Sequence, residues 1–196
     1  MSPPGNRPGR ARDDVLSAAE SVPGPAPADD VLSAAESSLG LAREVIGRLI
    51  ERGDTLAVAE SLTGGLLAAA LTAIPGASAV FRGGVVAYAT DLKNSLLGVP
   101  AELLRRHGAV HPAVATAMAE GACRRMTASA GAATTGVAGP DPADGQPVGT
   151  VHIAACVRDH TSARALSLSG DRSQIRSATV AESLRLLVTV LREDKL

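Results

Sequence analysis

Residues 55–71 read TLAVAESLTGGLLAAAL: a short apolar run, a break at Glu60-Ser61-Leu62-Thr63-Gly64-Gly65, then a second apolar run at helical spacing. The pattern predicts a buried strand, a sharp turn and a helix in immediate succession. Such a turn gathers a hydroxyl and several backbone N–H groups at one point, because the first turn of a helix has no internal partners for its donors. It is a place to hold an anion or to perform acyl chemistry.

The flanking segments extend the pattern. Leu39, Ala42, Val45, Ile46, Leu49 and Ile50 share one helical face, with Ser38 placed to cap that helix and Gly53 to end it. Further strands are expected at 84–89, 132–137, 148–157 and 163–169, and further helices at 91–98, 101–106, 112–127 and 173–192. Helices before, between and after buried strands imply an α/β fold, a three-layer α/β/α sandwich. The link between 148–157 and 163–169 is too short for a crossover, so the sheet, mostly buried, is expected to be mixed.

Residues 1–38 differ. They hold six of the twelve prolines and repeat DDVLSAAES at 13–21 and 29–37. Two short units separated by PGPAPA cannot bury a core, so 1–38 is expected to be a disordered tail and 39–196 the folded domain.

Composition excludes several function classes. The net charge is −1 and the arginines are scattered, which argues against nucleic acid as a partner. No run approaches the roughly 20 apolar residues of a membrane span, and the proline-broken start is no secretory signal, so a cytoplasmic protein without membrane association is expected. Cys123 and Cys156 lack the paired spacing of a zinc site and read as buried thiols in a reducing compartment. His107, His111, His152 and His160 have no metal-binding spacing, and Asp141 and Asp144 are too few for a cation loop, so no metal is expected. Lysine is scarce: two, Lys93 and Lys195, against seventeen arginines. A desolvated lysine can give up its proton near neutral pH and arginine cannot, so a lysine kept in such a composition draws attention; Lys195 lies at the chain end, which leaves Lys93.

Six stretches, AESLTGG (59–65), IPGASAVFRGGVVAYATDLKNSLLGV (74–99), HGAV (107–110), TGVAGP (135–140), PVGTVHIA (147–154) and SGDRSQIR (169–176), stand in a specific order and spacing. Together the chain resembles the nicotinamide mononucleotide deamidases, equivalent to the C-terminal domain of the competence/damage-inducible CinA proteins, over about residues 39–192. Leu62 stands where that family often has cysteine, and Asp141-Pro142-Ala143-Asp144 replaces a loop usually richer in glycine. CinA proteins also carry a separate N-terminal domain, for which 196 residues leave no room. The resemblance implies a small-molecule amidohydrolase, free of metal and cofactor, that converts nicotinamide mononucleotide to nicotinate mononucleotide and ammonia in pyridine nucleotide recycling. A homo-oligomer is expected.

Amide hydrolysis needs a nucleophile, a base, donors for the oxyanion and a proton for departing ammonia. By itself the position of Ser61 suits a helix cap; the resemblance makes it the nucleophile. Lys93 is either a surface lysine on a short helix or, as the resemblance implies, the base, provided burial or a nearby cation such as Arg176 keeps it neutral. Tyr88 can orient the pair, stack on the nicotinamide, or sit in the core. Glu60 takes a supporting place beside the substrate, although pairing with Lys93 would oppose the base role. Thr63, Gly64 and Gly65 offer backbone donors, and Thr135, Gly136 and Gly139 form a second loop on which a ribose phosphate can lie. Arg172 and Arg176 suit a phosphate by fork geometry, or alternatively an ion-pair cluster with Asp171. Two rival functions stand beside the amidase: a catalytically silent nucleotide-binding module, and an amidase for another small carboxamide.

Overall fold

Alternation along the strands sorts the apolar side chains into two cores. In the computed structural model, which describes residues 28–194 with side chains from residue 38, five strands form one sheet. They are β1 (Leu56–Glu60), β2 (Phe81–Val86), β3 (Ala130–Gly136), β4 (Thr150–Val157) and β5 (His160–Ser167), in the order β2-β1-β3-β4-β5. β2, β1 and β3 run parallel, and β4 and β5 are added antiparallel through a hairpin that pairs Val157 with His160. The sheet is mixed, as the short β4–β5 link requires.

Six helices cover it: α1 (Ala28–Arg52), α2 (Leu66–Thr72), α3 (Thr90–Leu97), α4 (Ala101–His107), α5 (Pro112–Met126) and α6 (Arg172–Glu193). Leu56 and Val58 of β1 join Val151, Ile153 and Val157 of β4 in a core with α1, α2 and α6. The intervening residues, Ala57, Ala59, Ala154 and Cys156, face the other way, against Leu97 of α3, Leu104 of α4 and Met118 of α5. The result is the expected three-layer α/β/α sandwich.

The boundaries shift for identifiable reasons. α1 starts at Ala28, directly after Pro27, so Ser38 lies inside the helix and does not cap it. The second copy of the repeat, residues 29–37, is therefore helical backbone; it contains no proline or glycine to stop a helix. The first copy and the rest of the expected tail to residue 27 lie outside the described residues. β2 spans Phe81–Val86, three residues ahead of the expected 84–89, and carries Gly83-Gly84 in its interior. A Cβ on Gly84 would lie 2.6 Å from Cγ2 of Val58, so close strand packing calls for glycine there.

The core beneath α5 is built of small residues, and two backbones approach closely as a result. A Cβ at Gly121 of α5 would come within 2.1 Å of the carbonyl oxygen of Leu97, at the end of α3. Glycine to alanine inside a helix normally gains up to about 1 kcal/mol, but overpacking costs about 1–3 kcal/mol, and a backbone atom cannot swing aside. Gly121→Ala is expected to lower the unfolding free energy by about 1–2 kcal/mol in urea titration; an unchanged or higher midpoint would show that α3 yields without cost.

Candidate active site

The turn after β1 is fixed from several sides. The Ser61 N–H donates to the Thr134 carbonyl at 3.0 Å, and the Ser61 carbonyl accepts from Gly64 N–H at 3.1 Å. Gly64 and Gly65 have φ of +60° and +98°, which favours glycine at both. The Glu60 carboxylate folds over the start of α2: Oε2 accepts from Gly65 N–H at 2.9 Å and Leu67 N–H at 3.1 Å, and Oε1 from Ala68 N–H at 2.8 Å. It thereby satisfies donors that a helix start leaves open and places negative charge at the positive end of the dipole. Thr63 shares a 2.8 Å hydroxyl bond with Thr134, and Arg176 donates to the carbonyls of Leu62 (Nε, 3.0 Å) and Thr63 (Nη2, 2.8 Å).

These contacts reassign several expected site residues. Glu60 is a buried cap for α2, committed to three backbone donors; it does not line the cleft and forms no ion pair with Lys93. The N–H groups of Gly64 and Gly65 are used within the protein. Arg176 braces the back of the turn and does not line the cleft, nor do Thr63, Gly64 and Gly65. Sequence reasoning placed Thr63, Gly64 and Gly65 near the substrate because a helix start is a generic anion site, and Arg176 there for its fork geometry; it could not show that a carboxylate from the same chain already occupies the helix start or that the guanidinium is spent on carbonyls.

Lys93 projects from α3 back beneath the turn. Its Nζ lies 3.2 Å from Ser61 Oγ, 2.7 Å from the Ala87 carbonyl and 3.4 Å from the Tyr88 carbonyl. The side chain is only 1% exposed and, among the described residues, belongs to no ion pair. Burial pushes its pKa below the ordinary lysine value, and the negative charge of Asp144 offsets part of that fall. The downward shift thus comes from desolvation, and Arg176 is not among its causes.

Ser61 and Lys93 open into a cleft of about 240 Å³ at the carboxyl ends of the parallel strands, where open α/β sheets bind ligands. Thr135, Gly136 and Gly139 line it, joined by Leu62, Ala109, Asp141 and Asp144. The Thr135 hydroxyl donates to the Ala109 carbonyl at 2.7 Å, and Asp144 Oδ2 accepts from Ala109 N–H at 2.6 Å, so the wall is fastened from both sides. At the rim Arg172 donates to the Gly139 carbonyl at 2.7 Å and to the Tyr88 hydroxyl at 2.9 Å. Tyr88 is 58% exposed, which rules out the core reading; its carbonyl positions Lys93 and its ring edges the opening. Asp144 was legible only as half of a poor cation motif, and nothing in its spacing signals that it faces a lysine more than fifty residues earlier. His111 caps α5, its Nδ1 accepting from Ala113 N–H at 3.2 Å. No cluster suited to a metal occurs among the described residues.

The fold and cleft define a three-layer α/β domain in which a buried serine and lysine meet at the carboxyl end of a parallel strand set. Residues 38–191 match the family described as the CinA C-terminal domain, and the chain belongs to that family. It is 53% identical over 147 residues to a CinA-like protein of Frankia casuarinae, covering 75% of this chain and 34% of that protein. A CinA-like protein of Gloeobacter violaceus is 46% identical over 185 residues, covering 90% and 43% respectively. The chain spans less than half the length of these curated relatives. Among solved structures, the competence/damage-inducible protein of Agrobacterium tumefaciens aligns with a TM-score of 0.76 at 39% identity, covering 79% of this chain and 95% of that one. The competence damage-inducible protein A of Klebsiella pneumoniae aligns at 0.78 and 36%, covering 81% and 99%. Among the described residues no helix is long and apolar enough to cross a membrane.

The lysine has a thermodynamic signature. Its folded pKa lies below the unfolded value of about 10.4, so between the two the unfolded chain binds more protons. Stability contributed by this group is therefore lowest below the folded pKa and rises as pH climbs to the unfolded one. In urea titrations from neutral pH to about 10, wild type should gain stability relative to Lys93→Met, which has no such titration; curves that stay parallel would refute a depressed pKa.

Proposed function

We propose that the chain is a serine–lysine amidohydrolase whose substrate is nicotinamide mononucleotide, releasing nicotinate mononucleotide and ammonia. The observation that carries this reading is the 3.2 Å approach of a buried, unpaired Lys93 amine to Ser61 Oγ. Lysine used as a base has to be neutral, and burial without an ion-pair partner favours that state.

In this mechanism Ser61 Oγ attacks the carboxamide carbon while Lys93 Nζ takes its proton. The oxyanion is met by the N–H of Leu62, the residue after the nucleophile, which lines the cleft and has no acceptor among the described residues. The lysine ammonium returns the proton to departing ammonia. Water, deprotonated by the same amine, then cleaves the acyl-serine and restores the hydroxyl. The cleft volume suits a small, single-nucleotide ligand better than a larger one. Arg172 spends two of its five donors on Gly139 and Tyr88, leaving the others at the rim for a phosphate, with Thr135, Gly136 and Gly139 beneath the ribose.

Ammonia release from nicotinamide mononucleotide by purified protein tests the reading. Ser61→Ala and Lys93→Ala should each lower it by at least about a thousandfold with the fold intact by circular dichroism. Full activity in either variant removes the pair from the chemistry. Nucleotide binding without ammonia release would make the chain a silent nucleotide-binding module. Equal turnover of the dephosphorylated substrate would make it an amidase of broader scope.

The pH profile supplies an independent test. Activity should fall as pH drops through the folded pKa of Lys93, because the ammonium cannot accept the serine proton. Asp144→Asn removes the charge that holds this pKa up, so its acid limb should move to lower pH while the Asn oxygen can still accept from Ala109. A shift to higher pH, or none, would exclude Asp144 as the group tuning the base.

A further inference from the structure

The two cysteines lie at the end of the sheet opposite the cleft. Cys156 on β4 pairs in register with Gly131 near the start of β3, whereas Thr135 and Gly136 at the cleft lie at the end of that strand. Cys123 reaches the same point from α5, and the two sulfurs are 3.3 Å apart although 33 residues separate them in sequence. Gly131 makes the room: a Cβ there would come within 2.6 Å of Cys123 Sγ and 3.0 Å of Cys156 Sγ. Cys156 is buried and Cys123 half-buried, which corrects the expectation that both are enclosed. Both border a separate hollow of about 360 Å³ whose rim carries Arg124 and Arg158 beside Glu120 and Asp159.

We infer that Cys123 and Cys156 form a thiol–disulfide exchange site that accepts a small zwitterionic disulfide and is itself oxidised to an intramolecular disulfide. Proximity supplies the first argument, since the sulfurs need to close by only about 1.3 Å to reach the disulfide length of about 2.05 Å. The division of labour supplies the second. The hydrogen bond from Cys156 holds the Cys123 thiol below its ordinary pKa against the opposing effect of burial, with Arg124 assisting; the same bond and deeper burial push Cys156 up. Cys123 is thus the half-buried, thiolate-prone member and Cys156 the enclosed one. The mixed rim charges match a ligand that carries both ammonium and carboxylate groups.

In the first step the Cys123 thiolate attacks one sulfur of the small disulfide, forming a mixed disulfide and expelling one small thiolate. Cys156 then loses its proton to solvent and attacks Cys123 Sγ, expelling the second small thiolate. Two electrons pass from the protein pair to the reagent, whose two halves leave as thiols.

The full chain, reduced and then treated with excess oxidised glutathione, tests the site by intact mass and thiol titration. Wild type should lose two hydrogens and both thiols, retain no glutathione, and return to the starting mass with dithiothreitol. Cys156→Ser should stop at one glutathione, mapped by peptide mass to Cys123, and Cys123→Ser should react at least tenfold more slowly. A wild-type protein that retains a stable glutathione adduct, keeps both thiols, or pairs them between chains overturns the inference. The wild-type measurement stands whether or not a variant folds.

Discussion

One carboxylate organises the chemical end of this molecule. Glu60 ends β1 almost wholly buried, and its two oxygens take three N–H groups, from Gly65 just before α2 and from Leu67 and Ala68 in its first turn. A buried carboxylate is costly unless its lone pairs are filled, and hydrogen bonds to a charged group are worth about 1.5–3 kcal/mol each. The cap meets that requirement without a cation. The consequence falls on the neighbouring lysine: the carboxylate nearest in sequence to the turn is already engaged, so Lys93 enters the same buried region without an ion-pair partner. Had Glu60 turned toward Lys93, its charge would have favoured the ammonium form and opposed the downward pKa shift that burial produces.

The remaining contacts hold this separation in place. Arg176 donates to two carbonyls on the back of the turn, and the Thr63–Thr134 hydroxyl bond ties the turn to β3. Two backbone carbonyls of the β2–α3 link aim the Lys93 amine. All of these partners are neutral, so they orient the amine without supplying a counter-charge. Among the described residues Asp144, across the cleft, is the negative group that acts on it, and its effect is smaller than that of burial.

How much of this was legible in the sequence follows from how local each signal is. The strand–turn–helix at 55–72, the alternation in 150–157 and the amphipathic face of α6 are written in neighbouring residues, and the three-layer arrangement follows from their order. The pairing of Ser61 with Lys93 was reached through lysine scarcity and family resemblance, not through spacing, because the two meet only when β1 and β2 pair. Glu60 and Arg176 were misplaced for one reason: residue type indicates that a charge is available, whereas only the folded backbone shows that its bonds are already made. The helical state of 29–37 was masked by the duplication, which draws attention to the repeat and away from its proline-free, alanine-rich composition. The approach of Cys123 to Cys156 left no sequence trace, since it depends on Gly131 in a third element.

The same packing produces both chemical features. The core between the sheet and α5 is built from Ala57, Ala59, Ala133, Ala154, Ala115, Ala119 and Ala122, with Gly121 and Gly131 admitting close backbone approach. Small residues draw α5 toward the sheet and α3 against α5. At one end this closes over a long side chain and strips water from the Lys93 amine. At the other, where α5 leaves the sheet, it brings two sulfurs into contact at the border of an open hollow. Larger core residues would preserve the layer order yet lift α5 away from the strands. Lys93 would then regain solvent and its ordinary pKa, and the cysteines would separate. The alanine-rich second core is therefore a condition for the close side-chain approaches at both ends of the sheet.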